Sequence, residues 1–341
     1  MAPMRRERVY LAVLLAAALA LAAPLAGVTA KPKPKPKRTP PPFLTFRVFA
    51  ETGLPLSDIT WTGERFLYAT ETLGTFSVGG PGGAPLAPFA TIPSEVEEVR
   101  CRPSPAARGW PAGFVYCHAP HGVVYRLAQD GTTAVFATIP ETDKQDGVIA
   151  FDTLGEFGYA MLVTTGGPAG DGGTVYAFGP DAAMRRIGSF PGPGGADNIE
   201  LAPPEFGLAS RELLIAIDYD PGGGAPGAGR VLAMRPDGSV RTLVNLPEGI
   251  NPIAVIGRGD APRGTAMPGL YVTDALTTSV YFLPASVLAT RYPSTVIVGS
   301  EKTAHFWLVR PNATGFAQLR LKSNLEAMRS TWNLEGGEYV P

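Results

Sequence analysis

Residues 145–191 read QDGVIAFDTLGEFGYAMLVTTGGPAGDGGTVYAFGPDAAMRRIGSFP, and four short apolar runs lie within them. The runs are 148–151, 159–164, 173–178 and 184–190, the last closed by Pro191. Gly, Pro and Asp separate them. Runs of about four to eight residues, rich in Val, Ile, Tyr and Phe and bounded by such residues, are strands. Four in a row joined by short turns make an antiparallel meander. A lone sheet of that size leaves its apolar faces wet, so it needs neighbours to stack on.

The neighbours lie on both sides. The third run recurs at 74–78, 122–127, 229–234 and 278–283, with successive spacings of 48, 51, 56 and 49 residues. The second run recurs at 66–70, 114–118, 213–217 and 270–273, and the fourth at 89–93, 135–140, 240–247 and 295–298. A period near fifty with four strands per unit marks a β-propeller. The expected fold is an all-β, six-bladed propeller with four antiparallel strands per blade. The blades are expected at 55–93, 94–141, 144–192, 194–249, 250–299 and 302–341, with 43–50 (FLTFRVFA) supplying the strand that closes the last. Residues 324–329 could also form a short helix.

Residues 1–30 have the form of an export signal. Arg5, Arg6 and Arg8 precede an apolar stretch ending in Val28-Thr29-Ala30, a small-residue cleavage site. The alternative is an uncleaved membrane anchor. Residues 31–42 (KPKPKPKRTPPP) form a tether, since alternating Lys-Pro favours extended polyproline II and buries nothing. Its five cations would suit contact with an anionic surface, or they simply solvate a spacer. Residues 43–341 are then one propeller domain, secreted or anchored according to whether the signal is cleaved, and a monomer is expected. Beyond residue 30 the chain has 26 basic and 29 acidic residues, which argues against nucleic acid as a partner.

The only two cysteines are Cys101 and Cys117. In an exported chain they are expected to pair across the first hairpin of blade 2, the alternative being two buried thiols. The histidines are His118, His121 and His305. His118 and His121 lack an evident third ligand, so a plain loop is the stronger reading than zinc. Asp218-Tyr219-Asp220 alternates like a calcium loop but lacks the downstream Glu. Asn312-Ala313-Thr314 fits a glycosylation sequon.

In a propeller the first strand of each blade lines the axis. Aligning those strands gives a column of Ser57, Glu97, Asp197 and Asn251, to which blade 3, one residue out of register, adds Asp146; Asp58, Glu98 and Asn198 follow in the next column. Oxygen donors from five blades could converge on a hard cation, Ca2+ first among them. The alternative is that they satisfy backbone groups in turns.

The blade pattern and first strands resemble the six-bladed family of gluconolactonase and senescence marker protein and, more loosely, NHL-repeat propellers. The likeness rests on Asp146-Gly147, on Asn251 followed by Pro252, and on Ser57-Asp58-Ile59-Thr60-Trp61, where the family has Glu in place of Ser57. The resemblance implies an axial divalent cation that activates water or polarises a lactone carbonyl. Here Glu97, Asp146, Asp197 and Asn251 would hold the ion, and Asp146 or Asp197 would be the catalytic base in hydrolysis of lactones or related esters. The other reading is a non-catalytic propeller that binds a glycan, a peptide or a cell-wall component. The missing Glu favours the latter, and the polar column favours the former.

Overall fold

The computed structural model describes residues 41–71, 74–83, 85–93, 98–140, 147–166, 172–219, 228–257 and 264–341. The expected export signal, nearly all of the expected tether, Glu97 and Asp146 lie outside them, as does most of the two Gly-rich stretches at 166–173 and 222–229. Among the described residues no helix is long and apolar enough to cross a membrane.

The chain folds into a six-bladed β-propeller. Blades 1 to 4 are meanders whose inner strands are Leu56–Trp61, Arg100–Pro103, Ile149–Phe151 and Gly195–Leu201. Inner and second strands are buried along nearly all of their length, and Leu56–Trp61 and Met161–Thr165 throughout, because each blade is covered on both faces by its neighbours. Outermost strands such as Thr133–Thr138 and Ala87–Thr91 are wet on most of their length. This explains why the second-strand runs are nearly continuous in Leu, Ile and Val while the fourth runs mix Arg, Thr and Ser. Between third and fourth strands, the register slips by one residue at the same place in blades 1, 2, 3, 4 and 6. Such a bulge adds right-handed twist, which each blade needs to fan out from the axis.

Blades 5 and 6 are interleaved, which corrects the division expected from the sequence. Blade 5 starts at Ile250–Val255 but continues with Val296–Ser300, Phe306–Asn312 and Gly315–Ser323. The intervening hairpin, Gly269–Asp274 and Ser279–Pro284, belongs to blade 6. Its inner partner is the C-terminal strand Leu334–Val340 and its outer partner is the N-terminal strand Arg47–Glu51. Closure by the N-terminal strand is therefore as expected, whereas residues 295–298 form a second strand and not a fourth. Phe43–Leu44 adds a short parallel edge to blade 5 before the chain crosses to blade 6. At the crossing, the Asn324 side chain imitates a strand partner. Its Oδ1 accepts the Phe46 N–H at 2.7 Å and its Nδ2 donates to the Phe46 carbonyl at 2.8 Å. Beyond it, Leu325–Met328 is the anticipated short helix.

The cores lie between blades rather than within one sheet. The closing seam between blades 6 and 1 is aromatic: Trp61, Phe66 and Tyr271 stack in series at 4.7 Å, and Phe49 meets Tyr271 edge-on at 4.8 Å. Burying each large side chain contributes roughly 1.5–3 kcal/mol. Cys101 and Cys117 face each other in register on the first two strands of blade 2 and form a disulfide.

Candidate functional site

The six inner strands close a ring around the axis, and at the end where they begin several break their ladders. The register slips past Ser57 in blade 1, Asp197 in blade 4 and Asn251-Pro252 in blade 5. It slips again past Glu335-Gly336 in blade 6. A bulge re-aims the side chain it carries. Three members of the expected column, Ser57, Asp197 and Asn251, therefore occupy equivalent bulges at one mouth of the axis. Glu335 is the fourth, and the sequence reading missed it. A signal for it existed in the Glu-Gly-Gly of 335–337. A Cβ on Gly336 would stand 2.7 Å from the Asp58 Cα, and one on Gly337 would stand 2.5 Å from Pro252. Both positions must be Gly for the inner strands of blades 1, 5 and 6 to approach.

Glu335 is the hub of the mouth. Its Oε2 accepts from Arg100 Nη2 at 3.1 Å and from Asn251 Nδ2 at 3.2 Å, and its Oε1 accepts from Asn333 Nδ2 at 2.7 Å. Glu335, Arg100 and Asn251 are all buried. Glu98 lies over Arg100, 3.9 Å from Nη2 and 36% exposed. Its φ of 66° puts a non-glycine residue in the left-handed region, a strain that needs its surroundings to hold it. Asp197 is half-buried on the same rim and acts electrostatically on Arg100. Burial pushes the Glu335 carboxyl well above the usual carboxylate range. The negative charge of Glu98 adds to this, Arg100 opposes it, and Glu301 and Glu71 push it further. Burial disfavours the Arg100 cation, but Glu98, Glu335, Asp58 and Asp197 together outweigh it and hold the guanidinium charged.

One layer deeper, Arg102 closes the channel. Nη2 donates to Asn198 Oδ1 at 3.2 Å and Nη1 to the Cys101 carbonyl at 2.7 Å, with Asp58 Oδ2 at 3.6 Å and Glu338 Oε2 at 4.0 Å. Asp58 Oδ2 also accepts the Cys101 N–H at 2.8 Å. The disulfide residue thus supplies backbone groups to both charges. Burial raises the Asp58 carboxyl, against the pull of Arg102 and Arg100. The second column of the sequence reading, Asp58, Glu98 and Asn198, therefore joins the axial network, and two arginines join with it. This ion-paired layer is the floor of the axial cup. Asp58 Oδ1, Arg100 Nη1, Asn198 Nδ2 and Asn251 Oδ1 are buried without a protein partner. Buried polar atoms demand hydrogen bonds, so these groups leave the axial network with unmet donors and acceptors just beneath the rim.

The fit to a divalent cation is poor among the described residues. No group of three His, Cys, Asp or Glu could hold a metal ion there. Asn251 spends its amide N–H on Glu335, and the Arg100 guanidinium already supplies positive charge at the hub. Asp197 and Asn251 are thus two of the four expected ligands on the rim, while Glu97 and Asp146 lie outside the described residues. The other expectations separate cleanly. His118 is buried and His121 exposed, so the two do not share a ligand. Asn312 Oδ1 accepts from the Thr314 N–H at 2.9 Å, an Asx turn at a hairpin tip.

No protein-family model matches the sequence, and no curated protein sequence matches it. Solved structures do resemble the chain. A chain of a nidogen/laminin complex aligns with a TM-score of 0.49 and 8% identity over 83% of each chain. A candidate 6-phosphogluconolactonase from Bacteroides uniformis aligns at 0.45 and 11%, covering 83% of this chain and 73% of the other. A candidate gluconolactonase aligns at 0.44 and 12%, covering 71% of this chain and 93% of the other. These are likenesses of fold, and no residue role is taken from them.

Proposed function

We propose that the axial mouth hydrolyses lactones or related esters of small polyhydroxylated acids. The observation that carries this reading is Glu335, a buried carboxyl with a raised proton affinity, hydrogen-bonded to a guanidinium and two asparagines beneath an acidic rim. A carboxyl whose proton affinity is raised by burial is suited to act as a general acid. Arg100 Nη1, which has no protein partner, supplies an N–H for charge developing on a carbonyl oxygen. Glu98 and Asp197 flank that guanidinium on the solvent side, and one of them takes the proton of the attacking water. The water oxygen bonds to the carbonyl carbon, the ring C–O bond breaks, and the Glu335 proton passes to the departing oxygen. The new carboxyl returns its proton to Glu335, the hydroxy acid leaves as its carboxylate, and the rim carboxyl releases the water's proton to solvent. The unpartnered Asn198 Nδ2 and Asn251 Oδ1 match the donors and acceptors of a polyol.

The test is a screen of aldonolactones and simple esters with the full chain, followed by Glu335→Gln, Arg100→Lys, Glu98→Gln and Asp197→Asn. Loss of about a hundredfold in kcat is expected for Glu335→Gln, typical of removing a general acid. Because the working form of Glu335 is protonated and its proton affinity is raised, wild-type activity falls as pH rises through its titration. Turnover unaffected by Glu335→Gln and Arg100→Lys would overturn this site. Chelation is the second arm. Activity lost in EDTA, restored by Ca2+, and absent from Asp197→Ala and Asn251→Ala would restore the cation-centred mechanism implied by the sequence resemblance. Saturable binding of a sugar acid, glycan or peptide without turnover would assign the cup to binding alone.

A further inference from the structure

We propose that the cleft between blades 1 and 2, on the face opposite the axial mouth, is a binding site for a small amphipathic carboxylate. The cleft lies beyond the C-terminal ends of the inner strands, among the turns at 62–65, 103–114 and 128–132. It is independent of the proposed hydrolytic site, and no residue lines both.

Leu67, Val78, Phe89, Phe114 and Val115 give an apolar floor and walls. Phe89 and Phe114 each pack one side against an inter-blade core while remaining partly open. The cavity is about 220 Å3. A dry protein cavity of about 150 Å3 accommodates benzene, so this one takes a chain of about six to eight carbons or a ring with a short acid arm. Apolar surface alone would not say what enters.

Arg65 makes the choice. Its guanidinium lies 4.6 Å over the Phe89 ring and Nη2 donates to the Gln129 carbonyl at 2.5 Å. Stacking and that single hydrogen bond hold the fork flat at the rim, and its other N–H groups have no acceptor among the described residues. A fixed, part-satisfied guanidinium beside an apolar slot recognises a carboxylate by two parallel hydrogen bonds. A second cation, Arg126, lies 4.7 Å over the Phe114 ring, so both aromatic walls carry a guanidinium. Among the described residues that line the cleft, Glu64 is the one acidic group, and the nearby Asp130 of the 128–132 turn accepts the Thr132 N–H. Glu64 faces solvent, where its charge is screened. Ser104 and Gln129 add neutral polar groups at the edge.

The test is isothermal titration of the full chain with heptanoate, and with 1-heptanol and heptylamine as the same tail without the carboxylate. One saturable heptanoate site per chain is expected. Arg65→Gln should weaken it about tenfold or more, the loss of a charge-assisted pair. Val78→Phe should fill the slot and abolish binding. Lactone turnover should be unchanged in Arg65→Gln. Absence of saturable binding, equal affinity for 1-heptanol, or identical affinity in wild type and Arg65→Gln would each overturn the proposal. If Val78→Phe melts early, the Arg65→Gln and heptanol comparisons decide the matter without it.

Discussion

His118 shows how one side chain can set an acid limit for the whole domain. It lies next to the end of the second strand of blade 2, Val115–Ala119, buried against the backbone of Gly147 where the chain turns into blade 3. Burial lowers its imidazole from 6.5 to about 4, slightly offset by the Gly147 backbone. The unfolded chain therefore binds more protons between those values. Stability is complete above pH 6.5 and is lost as pH falls through 4. The loss should reach about 2 kcal/mol at pH 5 by linkage. Urea denaturation of wild type and His118→Leu at pH 7.5 and 5 checks this, and the acid loss should be smaller in the variant. Nothing in the sequence betrayed His118, because a lone His beside a strand end looks the same whether buried or exposed. Glu335 was hidden for a different reason. Its strand follows a stretch that pairs with another blade, so it fell out of any column built on sequence order. Asp197 and Ser57 were legible because their blades are meanders, in which position along the chain and position around the axis coincide, and Asn251 because the inner strand of blade 5 still follows blade 4 in chain order.

At the scale of elements, the bulges at the starts of the inner strands matter most. In blades 1, 4, 5 and 6 they turn a polar side chain out of the ladder and leave the following residues in the core. At Gly336 the close neighbour is backbone. A methyl there meets the backbone of Asp58, which cannot swing aside as a side chain can. Gly336→Ala should destabilise the protein by about 1–3 kcal/mol through overpacking. It should also lower turnover at the mouth, because relief requires Glu335 or Asp58 to shift. Gly158→Ala serves as a control for a glycine with open space but positive φ, and should leave turnover intact. Thermal melting together with the lactone assay separates the two. The strands themselves were readable from alternation and turn residues. Which strand completes which blade was not, since the hairpin 269–284 keeps its place in the repeat whichever inner strand it joins.

The whole molecule is a ring whose last blade is assembled from three distant stretches. Phe46 stacks on Phe306 at 4.9 Å and Phe49 packs into the aromatic seam, so the N-terminal strand brings core side chains as well as an edge. Deleting residues 41–51 should cost several kcal/mol, since removing one buried Phe side chain costs about 3–5 kcal/mol. It should also expose Ser279–Pro284 as a free edge that recruits other copies. Sedimentation and melting of the truncated chain test both. A monomer of unchanged melting temperature would show that the strand is ornamental.

That interleaving also sets a timetable. A chain made from its N-terminus can complete blades 1 to 4 in turn as each meander emerges, and domains made this way fold as their parts appear. The strand Arg47–Glu51 is among the first to leave the ribosome, yet its hairpin partner comes more than two hundred residues later and the inner strand of its blade is the last of all. Until residue 340 is out, blade 6 is a slot guarded on one side by a strand with nothing to hold. A message truncated before the codons for 334–340 would thus yield an open ring, with the edge of Gly269–Asp274 unpaired and on display to proteases and chaperones.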